Sequence, residues 1–593
     1  MATYSYKILS NKVLIYANSK MCYTSEELIE SEIFKKFLQK AIKNLSAKNS
    51  PLLDIFADSQ NVQKEDLKLL CQVLSYLTKV AAQDVPKLVV ASDMLFRDAE
   101  LLNAFVEYLY NYWRHFERFI LCSSAVHEMD EKPYRTFNAT IEDFTHLVRK
   151  TYRDIQENIT GKHPMIYRQV RAGAEIAVIT SNKFSLNFGG VYGKLKNIQI
   201  IRQILLNPPL ILNPPMNKRT GRFIRIEENP LERISIQENE WLCYPAKVGP
   251  LLIYIYFHEK FYELGFSLCN LFEMADNEDL AKKPDGIYTF GVAEGELDGL
   301  ADFPTVFYED KENDILVAAV PNNDDFGYFG YLKKMVLTLH NIKIMKRQEL
   351  PFHGALVKIS LHNQNEATVL LIGDTGAGKS ETLEAFRILG DEKIKDMNII
   401  ADDMGSIRIA PDGHVLGYGT EIGAFVRLDD LQPGYAFGQI DRAIIMSPNQ
   451  VNARVVLPVT TFASVVKGFP IHYILYANNY EMVDEDHPIV ERFSSKEEAL
   501  RVFREGTVMS KGTTTSTGLV HSYFANIFGP PQYKQEHEIL ADEYFEAFFQ
   551  QGLFVGQIRT RLGISGWETK GPEMAARELL KMFEESQKII NSA

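Results

Sequence analysis

No block of lysine and arginine stands out in this chain, and its formal net charge is -13. Nucleic acid and anionic membrane surfaces both demand concentrated positive charge, so neither is expected as the main partner. A basic pocket inside an acidic protein is still allowed, because the field at a site is local. No run of about 18 apolar residues exists, so no helical membrane span is expected. The opening MATYSYKILSNKVLIYANSK lacks a continuous apolar core after a basic start, and no secretory leader is read there. Cysteine is scarce: Cys22, Cys71, Cys122, Cys243 and Cys269 are odd in number and scattered, which fits reduced core thiols and neither a disulfide framework nor a zinc site. The expected address is the cytoplasm. Low-complexity tracts and internal repeats are also missing.

What is there reads as ordinary globular protein. Hydrophobic residues make up 46% and charged residues 24%, and 593 residues exceed one core, so two or three domains are expected. From Ser25 to about Leu121 apolar residues recur at three and four positions, as in Leu28, Ile33, Phe37 and Leu38, the spacing of amphipathic helices. Residues 1–160 are therefore read as a helical N-terminal extension, a packing appendage or a platform for a protein partner. Short β-branched and aromatic runs begin near Ile176, and NPPLILNPP, from Asn207 to Pro215, is a proline-rich connection. LLIYIYF, from Leu251 to Phe257, is apolar enough for the inside of a sheet. This gives a mixed α/β lobe over 161–320, on the substrate side, and a catalytic domain over 321–593. The fold class expected is α/β (mixed α+β).

The catalytic assignment starts from one motif. ATVLLI, from Ala367 to Ile372, is a buried strand. It runs into Gly373-Asp374-Thr375-Gly376-Ala377-Gly378-Lys379-Ser380 and then into ETLEAFRIL, which has helical spacing. This is G-x-x-x-x-G-K-[ST] between a strand and a helix, the context a phosphate loop requires. Its glycines let backbone N–H groups turn toward phosphate oxygens, and the helix N-terminus adds its positive dipole end. Lys379 would reach the β- and γ-phosphates, and the Ser380 hydroxyl would ligate Mg²⁺. Downstream, MNIIADD is a second strand ending in Asp402 and Asp403, adjacent carboxylates suited to hard cations beside such a loop.

From about Ile287 to Leu580 the chain resembles the catalytic core of ATP-dependent phosphoenolpyruvate carboxykinase. Glu381, following the loop serine, is closer to the wording of the related HPr serine kinases. Tyr328-Phe-Gly-Tyr-Leu-Lys333-Lys334 is similar to the family's Y-G-G-E-M-K-K. That resemblance implies Tyr328 at the substrate and Lys334 as a neutral-amine ligand of Mn²⁺. His353, in LPFHGALV, sits where the family has its metal-binding histidine. Asp403 falls on the carboxylate completing that site, and Asp402 on the one near the nucleotide's Mg²⁺. Asn452-Ala-Arg454 is similar to E-N-T-R, which implies Arg454 at the γ-phosphate and substrate. Gly419-Thr-Glu421-Ile-Gly423-Ala-Phe-Val-Arg427 resembles F-E-G-G-C-Y-A-K and puts Arg427 in the place of a phosphate-contacting lysine. GTTTSTGLVHSYFANIFGPP is similar to the loop ending P-T-F-S-A-C-F-G-A-P, part of which is a lid in the family. GISGW, at Gly563 to Trp567, echoes N-T-G-W.

Three departures fall on the organic substrate and the base. The family's F-T-G-R-S-P-K-D-K is met only by the T-G-R ending in Arg222, the candidate for the substrate carboxylate. M-H-C-S-A-N becomes Phe352-His353-Gly354-Ala355-Leu356-Val357. After Gly-Trp the residues that frame adenine are replaced by ETKGPEMAARELL. The resemblance implies conversion of oxaloacetate and a nucleoside triphosphate, ATP first among the donors, to phosphoenolpyruvate, CO₂ and the diphosphate, with Mg²⁺ and Mn²⁺. Two alternatives stand beside it: a kinase acting on a protein or another small-molecule hydroxyl, and a non-catalytic nucleotide sensor.

Overall fold

The computed structural model describes residues 4–17, 22–123, 132–182, 189–389, 393–428, 440–511 and 517–590. The chain divides into two compact units: Met1–Lys183 with Ile201–Asn207, and Phe184–Ile200 with Pro208–Ala593. Both mix helices with strands, so the protein is mixed α/β. Among the described residues no helix is long and apolar enough to cross a membrane.

The first unit holds the expected amphipathic helices, Glu32–Ala47, Lys64–Leu77, Ala99–Arg114 and the long Lys132–Thr160. Their starts are marked in the sequence. Thr24 and Glu27 form a capping box at the short helix Ser25–Glu30, Ser31 caps Glu32–Ala47, and Asp98 caps Ala99–Arg114. The unit is more than helical, however. Lys12–Ala17 pairs in parallel with Glu117–Ser123, which pairs in parallel with Ile176–Ser181, and Tyr4–Ile8 adds an antiparallel edge. Strands buried on both faces show no apolar–polar alternation, so KVLIYA and ERFILCS carry no period that separates them from helix. One core joins the helices through Leu38, Leu45, Leu70, Leu74 and Phe105. Another packs Ile15, Ile120 and Ala177 of the strands against Phe37, Ile141 and Phe144.

The second unit contains two sheets that matter for the site. In the first, strands run in the order Trp241–Val248, Leu251–His258, Gly286–Val292, Ile315–Pro321, Val306–Asp310 and Ile224–Ile226. The second centres on Leu350–Leu361, antiparallel to Glu366–Ile372, which is parallel to Tyr473–Asn478, itself parallel to Phe554–Arg559. On its other side Leu350–Leu361 pairs with Met404–Ile409 and Ile394–Ala401. Helix Phe329–Lys346 is buried nearly all round, as a helix without a polar face must be. It puts Lys333 and Lys334 inside the unit. A smaller sheet aligns Gly423–Arg427, Arg454–Pro458, Ile444–Met446 and Leu210–Leu212.

Candidate phosphate and metal site

The phosphate-loop motif folds in its required context: strand Glu366–Ile372, a glycine turn, then helix Lys379–Leu389. The turn opens at the C-terminal end of three parallel strands, where α/β sheets place ligands. Gly376 and Gly378 have φ of +80° and +97°, which favour glycine. A Cβ at Gly378 would also lie 2.5 Å from Thr560 Oγ1. The carbonyls of the turn are held from outside: Thr560 donates to Ala377 O at 2.7 Å and Asn479 Nδ2 to Gly376 O at 2.8 Å. Lys379 is buried and donates to the carbonyls of Gly373 and Asp374. These are bonds that phosphate oxygens can replace with stronger charge-assisted ones. Ser380 is exposed and Glu381 half-buried at the start of the helix, and Thr375 N donates to Asp374 Oδ1.

Beside this loop His353, Asp403, Lys333 and Glu421 form one connected group. His353 is buried on Leu350–Leu361; its Nδ1 meets the carbonyl of Ala525, and its Nε2 lies 3.0 Å from Asp403 Oδ1. A ring nitrogen facing a carbonyl carries the proton, so a neutral imidazole would turn a lone pair toward a carboxylate oxygen. Such a pair needs a cation between its members or a second proton on the ring. Asp403 Oδ2 also accepts Lys333 at 2.7 Å, and Lys333 lies 3.1 Å from Glu421 Oε1. Burial would raise the Asp403 carboxyl, yet Lys333 and His353 hold it well below the usual range. Burial works against the Lys333 ammonium, but the Asp403 carboxylate keeps it charged. Burial pushes Glu421 up to about 8 against the pull of Lys333, and raises Asp402.

Lys334 is the one lysine here moved toward the neutral amine: burial, then Arg219, lowers it to about 8. Its Nζ stands 4.8 Å from the Phe528 ring, and His353 lies 5.9 Å from the same ring. Among the described residues no three His, Cys, Asp or Glu side chains cluster as a metal site. The candidate set is instead one imidazole, one carboxylate and one depressed lysine. Those donors fit a divalent cation.

A cationic wall completes the site. Arg454 lies over the Phe425 ring at 5.5 Å, and Tyr328, 5.8 Å from that ring, is raised by burial against the opposing charge of Arg454. Arg427 and Arg454 stand directly opposite in antiparallel strands, an arrangement that costs stability between like charges and suits an anion. The structure does not bring Arg222 into this wall: it is exposed, and its carbonyl accepts from Thr305. Arg219 is the arginine that acts on Lys334, and the hydroxyl of Tyr331 anchors its loop by accepting from Thr220 N and donating to Thr220 O. Nothing in the sequence separates Arg219 from Arg222, since the choice depends on how the loop is pinned. Lys333 and Glu421 were also not singled out, although both lie inside quoted motifs. At the far end, Arg561 stacks on Trp567 at 4.0 Å, next to Thr560. The first residues of the GTTTSTG stretch, 512–516, lie outside the described residues.

Compared with models of known protein families and with curated proteins, the chain matches none.

Proposed function

We propose that the second unit is a metal-dependent phosphoryl-transfer enzyme of the carboxykinase type, with oxaloacetate as acceptor precursor and a nucleoside triphosphate, ATP first, as donor. The observation that supports this most is the joint presence of a phosphate loop and a depressed Lys334 beside the His353–Asp403 pair. A plain nucleotide-binding module has no chemical use for the second group.

On this reading Gly373–Ser380 cradles the β- and γ-phosphates, and Lys379 leaves its loop carbonyls for phosphate oxygens. Arg454 and Arg427 offset the charge of the transferring group. Lys334, His353 and Asp403 would hold Mn²⁺, and Ser380 with Asp402 the nucleotide's Mg²⁺; these ions supply charge stabilisation at the enolate and phosphate oxygens. Tyr328 and Arg219 line the side of the organic substrate; Arg222, being exposed, is no longer the better candidate for its carboxylate. Loss of CO₂ breaks the C–C bond and leaves its electron pair as the enolate. The enolate oxygen attacks the γ-phosphorus, and the bond to the β-phosphate oxygen breaks to release the diphosphate. No side chain need take a proton in this step.

The second reading, an HPr kinase-like enzyme acting on a hydroxyl, draws on the apolar Ala355 and Leu356, both buried next to His353, and on Glu381. The first unit offers a platform for a protein partner under either reading. Purified protein given oxaloacetate, Mn²⁺, Mg²⁺ and ATP, GTP or pyrophosphate in turn should form phosphoenolpyruvate with one donor. Turnover of nucleotide with no phosphoenolpyruvate would favour the kinase, and binding without turnover a sensor.

A further inference from the structure

We propose that the turn Ser522–Gly529 positions His353 according to the state of the phosphate loop, so that arrival of phosphate is felt at the metal-side imidazole. The proposal rests on the reading of Gly373–Ser380 as a phosphate site. The turn's contacts at three places carry it. At the loop, Ser522 Oγ lies 3.4 Å from Asp374 Oδ2 and Asn526 Nδ2 lies 3.5 Å from Asp374 Oδ1. At the imidazole, the carbonyl of Ala525 accepts from His353 Nδ1. At the lysine helix, Asn341 Nδ2 donates to Phe528 O at 2.8 Å, and the Phe528 ring borders both Lys334 and His353.

The backbone of this turn is unusual for residues bearing a Cβ. Phe524, Ala525 and Asn526 have φ of +44°, +58° and +61°, three in succession in a region normally visited singly and by glycine or asparagine. Such conformations persist only where their surroundings enforce them, and they gather at functional sites. Here the enclosure is visible. A Cβ on Gly506 would lie 1.7 Å from Ser522 O, and one on Gly529 would lie 2.9 Å from Thr338 O of the lysine helix. Phe524, Ala525, Ile527 and Phe528 are buried, while Asn526 is exposed and turned to Asp374. A segment so confined has few alternative arrangements, so a pull on Ser522 and Asn526 is passed to the Ala525 carbonyl between them.

The trigger is Lys379. It is bonded to the carbonyls of Gly373 and Asp374, and phosphate oxygens compete for it. Its departure alters Asp374, whose carboxylate is the loop's grip on the turn. Ser522, Ala525 and Asn526 are thus positioning residues, acting through His353 and not on substrate.

The test uses the full chain with ¹⁵N-labelled histidine, the His353 ring nitrogens being identified by their loss in His353→Gln. ADP is added without divalent metal. In the wild type the His353 Nδ1 resonance should shift on saturation. In Ser522→Ala/Asn526→Gly, which keeps a residue suited to positive φ, ADP should bind within about fivefold of wild type and the shift should vanish. Asn526→Asp, which sets a second carboxylate against Asp374, should also abolish it and serves if the double variant does not fold. A wild-type resonance that stays put while ADP binds, or a variant that shifts as the wild type does, overturns the coupling. A wild type that binds no ADP overturns the phosphate-loop reading, and the coupling with it.

Discussion

Each unit holds a buried group of charged side chains around one arginine or lysine, and the two groups are satisfied to different degrees. In the first, Arg118 is 1% exposed and its donors are all used. Nε reaches Gly173 O at 2.6 Å, Nη1 the carbonyls of Trp113, Arg114 and Phe116, and Nη2 approaches Glu175 at 3.4 Å. In the candidate site of the second, the ionisable groups are left short of partners, unlike Arg559 elsewhere in that unit: Glu421 Oε2 and the Nε atoms of Arg219 and Arg454 have none. Asp402 is pushed up by burial while Lys334 is pushed down. A buried charge without a full set of partners costs free energy. Where its own neighbours complete the set, the charge fastens the fold; where they do not, a ligand of opposite charge can complete it.

Breaking the first kind should cost the most stability. Arg118→Ala strands four carbonyls and Glu175, and should lower the unfolding free energy by about 3–5 kcal/mol, read from urea denaturation, with ADP affinity unchanged. Lys379→Ala strikes the second kind. Phosphoryl transfer should fall on the order of 10²–10³-fold, while the thermal midpoint holds. Were the midpoint to drop as far as in the arginine variant, the contrast between the two clusters would be gone.

Glu421→Gln sharpens the comparison through its sign. The folded carboxyl is raised from 4.5 to about 8, so its contribution to stability is fully present below about pH 4.5 and is lost as pH rises through about 8. Glutamine mimics the protonated form. The variant should gain about 1–3 kcal/mol over wild type at pH 7 and nothing at pH 4, and it should lose activity. An equal difference at both pH values would show that Glu421 is not held protonated. The smallest effect concerns Lys334, lowered from 10.5 to about 8. On the proposed reading its deprotonated form is the metal ligand, so Mn²⁺ affinity should rise up to about tenfold per pH unit below pH 8 and then level off. Lys334→Met should flatten that rise in a Mn²⁺ titration followed by electron paramagnetic resonance.

Legibility in the sequence follows the same division. The strand–turn–helix around Gly373–Ser380 was readable because its turn chemistry is local, and the helices of the first unit because their apolar period is. His353 came from motif likeness, while Asp403, which the structure joins to it at 3.0 Å, was also readable as a carboxylate at a strand end. The strands Lys12–Ala17 and Glu117–Ser123 were not visible, because a strand covered on both faces has no period to read. Arg219, Glu421 and the turn at Phe524–Asn526 were missed for another reason. Their roles come from contacts between residues far apart in the chain, such as Thr220 with Tyr331, Glu421 with Lys333 and Asn526 with Asp374.

Calorimetric titration of the whole protein with Mg·ATP, beside Lys379→Ala, tests the central claim most directly. The account predicts one saturable site per chain in the wild type and its loss in a variant that melts at the same temperature. A wild type that takes up no nucleotide, or a variant that binds it equally well, would contradict the phosphate site on which the rest depends.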